Sequence, residues 1–183
     1  MSAPFRLSDA VAHRTDRPLR IAVLAHIRHP IMEPFMGGME AHAAQLVRGL
    51  SRRGHYVRLF SAGAAAPDLP HVPIAPAAYE ATLPWATWRG SPALAALQRG
   101  IFAEGWQAIC AGGFDIVHNN SLSPDVIDWA RADGVPMLTS HHIPPFGALR
   151  DATLRAADHP GLGFTVTSRS QLPLWFSAPP ANI

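Results

Sequence analysis

The chain contains no lysine, a single cysteine and few charged residues. All 15 of its basic residues are arginines, and charged residues make up only 15% of the sequence. The absence of lysine excludes a P-loop lysine and a Schiff-base lysine. Cys110 has no partner for an internal disulfide, which fits a reducing cytoplasm. Because the net charge is only +2 and the arginines are scattered, nucleic-acid binding is not expected.

Targeting segments and metal-binding motifs are also missing. Residues 1–19 carry several charged side chains and no apolar stretch, so they are interpreted as a mobile leader and not as a signal peptide or membrane span. The pairs His26/His29 and His141/His142 have no carboxylate cluster beside them, and no metal or other cofactor is expected. No G-x-S-x-G or G-x-G-x-x-G motif follows a strand, which counts against a serine hydrolase and a nicotinamide dehydrogenase.

What the chain has is an alternation of strand and helix signals. Its 183 residues are 48% hydrophobic, enough for one domain with a substantial core. The apolar run at 20–26 predicts a buried strand. From Met39 to Arg52 the apolar residues recur at helical spacing, which assigns Glu40 and His42 to the polar side of an amphipathic helix.

The rest of the chain continues this alternation. Further strands are predicted at 55–60, 71–74, 114–118, 136–140 and 163–167. Helices are predicted from Ser91-Pro92 to Gly112, from Ser123-Pro124 to Asp133, over 148–157 and over 171–175. Residues 83–88 are expected to form an irregular loop. The pattern predicts an α/β fold with a doubly wound, mostly parallel, Rossmann-like sheet.

Two features suggest a ligand site. Gly37 and Gly38 lie between the first strand and the first helix, where backbone N–H groups can face a phosphate or a sugar. The alternative is that the glycines merely turn the chain. Trp85 and Trp88 could present an aromatic face to a sugar acceptor, or could cover an edge of the core.

Four segments together carry a family resemblance: GGMEAHAAQLVRGLSRRGHYVRLFSAG at 37–63, FDIVHNNS at 114–121, VPMLTSHH at 135–142 and FTVTSRSQ at 164–171. In this order and spacing they resemble the N-terminal Rossmann-like domain of family 4 glycosyltransferases with the GT-B fold. The resemblance implies an enzyme that transfers a sugar from a nucleotide-sugar donor to an acceptor, with retention of anomeric configuration. It also implies that the acceptor lies mainly on this domain.

The resemblance assigns roles to individual residues. Gly37 and Gly38 match the glycine loop of the family. His141 matches the histidine that contacts the transferred sugar, although His142 beside it leaves the register open. His118 and Asn119 match a cleft-facing region at the end of another strand. Ser168 could face the cleft, or could cap the final helix.

The donor half of such an enzyme has no counterpart in the sequence. Its glutamate pair with seven intervening residues is absent, since Glu33 and Glu40 have six between them. We therefore expect a leader at 1–19, the acceptor-side domain at 20–176 and the start of a linker at 177–183. Alone, the chain is expected to turn over little or nothing, because half of the transition-state contacts are missing.

The expected partners are a nucleotide-sugar donor, a sugar, lipid or small-molecule acceptor, and a C-terminal donor domain. Dispersed arginines near the N-terminus allow peripheral contact with the inner face of a membrane. Two alternatives stay open: a stand-alone carbohydrate-binding or partner-binding module that completes a separately encoded donor domain, and an unrelated flavodoxin-like domain that binds flavin or nucleotide.

Overall fold

A computed structural model describes residues 17–177 of the chain. The predicted leader at 1–19 lies mostly outside these residues, and so does nearly all of the predicted linker at 177–183. The strands are β1 (Arg20–Leu24), β2 (Tyr56–Ala62), β3 (His71–Ala75), β4 (Ile116–Asn119), β5 (Met137–His141) and β6 (Leu162–Val166). The helices are α1 (Gly38–Arg52), α2 (Trp85–Trp88), α3 (Pro92–Ala111), α4 (Pro124–Asp133), α5 (Gly147–Ala156) and α6 (Leu172–Trp175).

All six strands form one parallel sheet in the order β3-β2-β1-β4-β5-β6. This confirms the predicted α/β fold. Since every strand runs in the same direction, all the carboxyl ends meet at one edge. The chain turns to opposite sides after β1 and β4, which are neighbours, and this switch point is where open parallel sheets place their ligand crevice.

Helices cover both faces of the sheet. On one face Ile21 and Val23 of β1 pack with Ala43 and Val47 of α1. On the other face Ala22 and Leu24 belong to a larger core with the helices α3, α4 and α5. The alternation of β1 residues between the two cores follows from the two-residue period of a strand.

Sequence signals fix several helix ends. Ser91 Oγ accepts a hydrogen bond from the Leu94 N–H at 3.2 Å, ahead of Pro92 in the first turn of α3. Gly134 ends α4 at φ +66°, in the left-handed region that glycine favours. The expectation of an irregular loop at 83–88 is wrong for its last four residues, which form α2 after a 3₁₀ turn at Tyr79–Ala81.

Candidate functional site

A cavity of about 1030 Å³ opens at the carboxyl edge of the sheet. Its walls come from the loop after β1, the N-termini of α1, α3 and α4, the segment around α2 and the loop after β5. The lining includes the predicted residues Gly37, Gly38 and Trp85, together with residues for which no role was predicted: His26, Arg28, His29, Glu40, Tyr79, Gln98, Arg99, Ser121 and Asp125.

The glycine pair begins α1 at the cavity wall. Gly37 is the N-cap with extended backbone, and Gly38 is the first helical residue. A Cβ atom at Gly38 would meet no atom within 4 Å, whereas one at Gly37 would lie 3.0 Å from Glu40 Oε2. Gly37 therefore leaves room for a carboxylate of the protein itself. A ligand role for the two glycines stays a prediction.

Glu40 is the buried acid of the site. It is only 3% exposed, and its Oε1 lies 3.4 Å from Nδ1 of His26, which follows β1. The hydrogen bond from His26 is the main cause that lowers the pKa of the Glu40 carboxyl. The assignment of Glu40 to the solvent-facing side of α1 was wrong. Helical periodicity cannot show that a polar residue has a partner on another element. The sequence does show an acid in the first helical turn, where the helix dipole favours negative charge.

Arg28 and Trp85 lie on the cavity wall, and Glu80, which is not in the lining, contacts both. Arg28 makes a two-pronged ion pair with Glu80, with distances of 2.8 and 3.3 Å. Glu80 Oε2 also accepts the Trp85 N–H at 3.1 Å, and the Arg28 guanidinium carbon lies 5.7 Å from the Trp85 ring centroid. Trp85 is thus held at the cavity mouth. Trp88 lies on the same short helix but is not in the lining.

A cluster of histidines forms where β4 and β5 end, and we call His42, His118, His142 and Asn120 the histidine cluster. His142 Nε2 donates to Asn120 Oδ1 at 2.7 Å, and the rings of His42 and His142 meet edge to face with centroids 4.5 Å apart. In the part of the chain that the structure describes, the buried atoms His42 Nε2 and Asn120 Nδ2 have no hydrogen-bond partner. Such atoms are costly to bury unless a ligand or water meets them.

The histidine cluster is uncharged at neutral pH. Burial, together with the charge that neighbouring histidines would carry, lowers the pKa of His118 and of His142 to about 4. Burial also lowers the pKa of His42. Neutral imidazoles offer one N–H donor and one nitrogen acceptor each, which suits hydrogen bonds to hydroxyl groups. Because His142 Nε2 donates to Asn120, its Nδ1 is the acceptor.

His141, predicted as the catalytic histidine, lies in the core. Its ring is 1% exposed, stacks on Trp175 with centroids 3.6 Å apart and lies parallel to Phe164 at 5.7 Å. Its Nε2 donates to Thr153 Oγ1 at 3.2 Å. Burial, followed by the influence of His142, lowers the pKa of His141 to about 3. Neither His141 nor any member of the histidine cluster is among the residues that line the cavity, and His141 Nδ1 also has no hydrogen-bond partner in the described part of the chain. The role of His141 in the reaction stays a prediction that its place among aromatic side chains of the core does not favour.

The remaining predicted residues occupy supporting positions. His118, a member of the histidine cluster, has its Nε2 2.8 Å from Ser140 Oγ. Asn119 is buried, where its Oδ1 accepts the Ser121 N–H and its Nδ2 donates to Thr139 Oγ1. It therefore shapes the turn after β4. Ser168 is exposed, precedes the 3₁₀ turn at Arg169–Gln171 and bonds to Ser170.

The described residues offer neither a metal-binding group of side chains nor a helix that could span a membrane. Within residues 17–177, no three histidine, cysteine, aspartate or glutamate side chains are grouped so that they could hold a metal ion. In the same range no helix combines the length and the apolar character needed to cross a bilayer.

Comparison with known proteins gives several relatives that share one name. A D-inositol 3-phosphate glycosyltransferase of Mycolicibacterium smegmatis is 28% identical over 157 residues, which cover 79% of this chain and 35% of the relative. The enzymes of the same name from Mycolicibacterium vanbaalenii and Mycolicibacterium paratuberculosis are each 29% identical, covering 78% and 83% of this chain and 34% and 37% of their own length. The chain thus spans about a third of the length of these relatives.

The family model called Glycosyltransferase Family 4 matches residues 36–171. This range runs from the loop before α1 to the turn before α6 and includes the glycine pair, most of the cavity wall and the histidine cluster. The sheet is that of a Rossmann-like domain. The chain therefore belongs to Glycosyltransferase Family 4 and has the fold of the N-terminal domain of its GT-B members.

Proposed function

We propose that this domain binds the acceptor of a retaining glycosyltransferase that uses a nucleotide-sugar donor. The observation that carries the proposal is the cavity of about 1030 Å³ at the carboxyl edge of a family 4 domain, next to a histidine cluster with unpartnered polar atoms. A cavity of this size accommodates a sugar-sized acceptor with an attached group. The donor nucleotide binds to a second Rossmann-like domain across the cleft.

The histidine cluster receives the transferred sugar. Asn120 Nδ2 and His42 Nε2 are two of the buried polar atoms that lack hydrogen-bond partners in the described part of the chain, and hydroxyl groups of a sugar can supply those partners. His142 lies between these two residues, bonded to one and packed on the other. We assign to His142 the contact with the transferred sugar that the family resemblance gave to His141. His142 is a member of the histidine cluster, whereas His141 is enclosed by aromatic side chains in the core.

The cavity orients the acceptor. Its polar groups include the hydroxyls of Tyr79 and Ser121 and the amide of Gln98, which can position an acceptor hydroxyl toward the donor. The relatives are named for transfer to inositol 3-phosphate, and they share with this chain only about a third of their length. A different acceptor on the same domain is compatible with this degree of similarity.

Each half of the active site needs the other. An acceptor held without a bound donor meets only part of the groups that stabilise the transition state, so the isolated domain turns over little. Under this proposal the domain is cytoplasmic, because it draws its co-substrate from the cytoplasmic pool of nucleotide sugars. It requires no metal for the contacts assigned to the histidine cluster.

The test is a transfer assay with the complete gene product that carries this sequence. A panel of nucleotide sugars is offered with a mixture of sugar, lipid and small-molecule acceptors, and the product linkage is determined by NMR. The expected result is transfer from one nucleotide sugar with retained configuration, and at least about a hundredfold less transfer by residues 1–183 alone. Inverted configuration, or no transfer from any donor, contradicts the proposal.

A further inference from the structure

We propose that the acceptor held in the cavity is an uncharged molecule with an apolar portion, and not a phosphorylated one. This inference rests on the proposed function, since it names the class of substrate for the same site. It separates this chain from its curated relatives, whose printed name specifies a phosphorylated acceptor. Three kinds of observation support it: the arginines, the helix N-termini and the apolar walls.

Both arginines in the cavity lining are already neutralised by the protein. Arg28 is held by Glu80 at 2.8 and 3.3 Å, and Arg99 NH1 lies 2.5 Å from Asp125 Oδ1. A phosphate group that bound to either guanidinium would have to displace a carboxylate or share the arginine with it. Phosphate-binding sites instead offer arginines whose forked N–H groups are free for the ligand.

The helix N-termini at the cavity each carry an acidic or capping side chain of the protein itself. A helix N-terminus is a ready anion site because its first N–H groups are unpaired. At α1 the Glu40 carboxylate folds back over Gly37, and Glu40 accepts a hydrogen bond from its own backbone. At α3 the Ser91 hydroxyl caps the Leu94 N–H.

The start of α4 also carries an acidic side chain of the protein. It has Pro124, which lacks an N–H group, and Asp125 in its first turn. The lining holds the guanidinium groups of Arg28 and Arg99 and the carboxylates of Glu40 and Asp125. Glu80, which is not in the lining, adds a third carboxylate through its ion pair with Arg28. The phenol of Tyr79 and the imidazoles of His26 and His29 complete the ionisable groups of the described lining, and His26 Nδ1 lies 3.4 Å from Glu40 Oε1. A phosphate dianion entering this cavity meets a wall with no excess of positive charge.

The cavity walls are otherwise apolar. Leu94, Phe102 and Leu122 line its interior, and Met36, Trp85 and Phe146 lie around its mouth with 68%, 39% and 44% of their surface exposed. Large apolar side chains left exposed together at the rim of a cavity mark a site that buries apolar surface of a ligand. An acceptor with an alkyl, acyl or aromatic group next to its hydroxyl satisfies both the apolar walls and the absence of free charge.

The experiment compares two probes that differ by one phosphate: n-octyl β-D-glucopyranoside and its 6-phosphate. Both are titrated into the chain at pH 8, where histidines are neutral, below the concentration at which they form micelles. Binding is followed by isothermal titration calorimetry and by ligand-observed NMR. The expected result is that the neutral probe binds and that the phosphate probe binds at least about tenfold more weakly, a ratio of the size expected from unpaired charge.

A pair of variants tests the physical cause. Glu80→Gln frees the Arg28 guanidinium while keeping an oxygen for the Trp85 N–H, and should strengthen binding of the phosphate probe several-fold with little effect on the neutral probe. Asp68→Asn is the matched control, because it frees Arg48 from a similar two-pronged ion pair whose residues do not line the cavity. Asp68→Asn should change neither affinity. Circular dichroism checks that both variants are folded.

Two outcomes overturn the inference. Tighter binding of the phosphate probe by the unaltered chain contradicts it, and so does the failure of both probes to bind. The titration needs no donor, so its failure is distinct from failure of the transfer assay. If the transfer assay fails while the neutral probe binds with the predicted selectivity, the proposed function is lost and the binding preference of the cavity remains.

Discussion

His141 and His142 are neighbours in the sequence, yet they lie in two different environments. His141 fills an aromatic slot in the core, where it stacks on Trp175 and bonds to Thr153. His142 lies in the histidine cluster, next to atoms that have no partner in the described part of the chain. Successive side chains at the end of a strand point in opposite directions, so the ring of His141 enters the core and that of His142 does not.

The comparison teaches what distinguishes a structural from a functional histidine. The His141 ring is covered on its faces by aromatic side chains, whereas the His142 ring meets an amide and another imidazole. Each environment disfavours the protonated form, so the pKa alone does not separate the two roles. The separation comes from what surrounds each ring.

The largest effect on stability is expected for His141→Ala. Removing an aromatic-sized ring from the core leaves a cavity beside Trp175 and should lower the free energy of unfolding by about 3 kcal/mol. Urea unfolding of residues 1–183 measures this change. A loss of turnover in the complete gene product with unchanged stability would instead return the catalytic role to His141.

The complementary variant is His142→Ala. If this imidazole contacts the transferred sugar, turnover of the complete gene product should fall about a hundredfold, the size of effect expected for loss of one preorganised hydrogen-bonding group. The free energy of unfolding should fall by only about 1 kcal/mol, from loss of the hydrogen bond to Asn120. Unchanged turnover would remove His142 from the proposed site.

The comparison also predicts a dependence of stability on pH. Folding lowers the pKa of His141 from 6.5 to about 3, so between these values the unfolded chain binds a proton that the folded chain does not. Stability must therefore fall as the pH falls from 6.5 toward 3. Between pH 6.5 and 5, the lowered pKa of His141 should reduce the free energy of unfolding by about 2 kcal/mol, at about 1.4 kcal/mol per pH unit.

This pH dependence is measured by urea unfolding at a series of pH values. His118 and His142 act in the same direction, because their pKa values are also lowered. The variant His141→Phe keeps an aromatic ring in the slot and removes one titrating group, so its stability should depend less steeply on pH. If stability depended on pH equally steeply in His141→Phe and in the unaltered chain, the lowered pKa of His141 would be contradicted.

The smallest effects are expected at the two glycines. Gly38→Ala places its Cβ in open space in the first turn of α1 and should raise the free energy of unfolding by about 0.5 kcal/mol. Gly37→Ala places its Cβ 3.0 Å from Glu40 Oε2, so the carboxylate must shift and stability should fall by a similar amount, about 0.5 kcal/mol. Thermal unfolding of the two variants and of the unaltered chain measures both changes in stability.

The same pair tests the predicted ligand role of the glycine loop. Since the protein itself has room for a side chain at Gly38, a loss of transfer in Gly38→Ala would mean that a ligand approaches the backbone there. Full activity in Gly38→Ala would leave Gly37 and Gly38 as residues that turn the chain and accommodate Glu40.

The fold was predictable where the signals are local. The Ser91-Pro92 start of α3 and the glycine that ends α4 were both predicted, and the apolar run of β1 marked a strand buried on two faces. Helix α2 was missed because four residues are too few to show a helical period. The parallel direction of the strands followed from the alternation of strands and helices, but their order in the sheet was not predicted.

The site was only partly predictable, because its main contacts join residues that are distant in the sequence. Gly37, Gly38 and Trp85 do lie at the cavity. The pairing of Glu40 with His26 and of Arg28 with Glu80 depends on tertiary structure, and no local pattern reports it. The choice between His141 and His142 depends on the exact residue at which β5 ends, which is the least certain feature of any strand prediction.

The most direct test of the account blocks the cavity. Ala95 lines the cavity on α3, and Ala108 is an exposed alanine of the same helix that does not. In the complete gene product, Ala95→Trp should raise the KM for the acceptor at least about tenfold and leave the KM for the donor unchanged, while Ala108→Trp should change neither. An unchanged acceptor KM in Ala95→Trp would contradict the claim that the acceptor binds in this cavity.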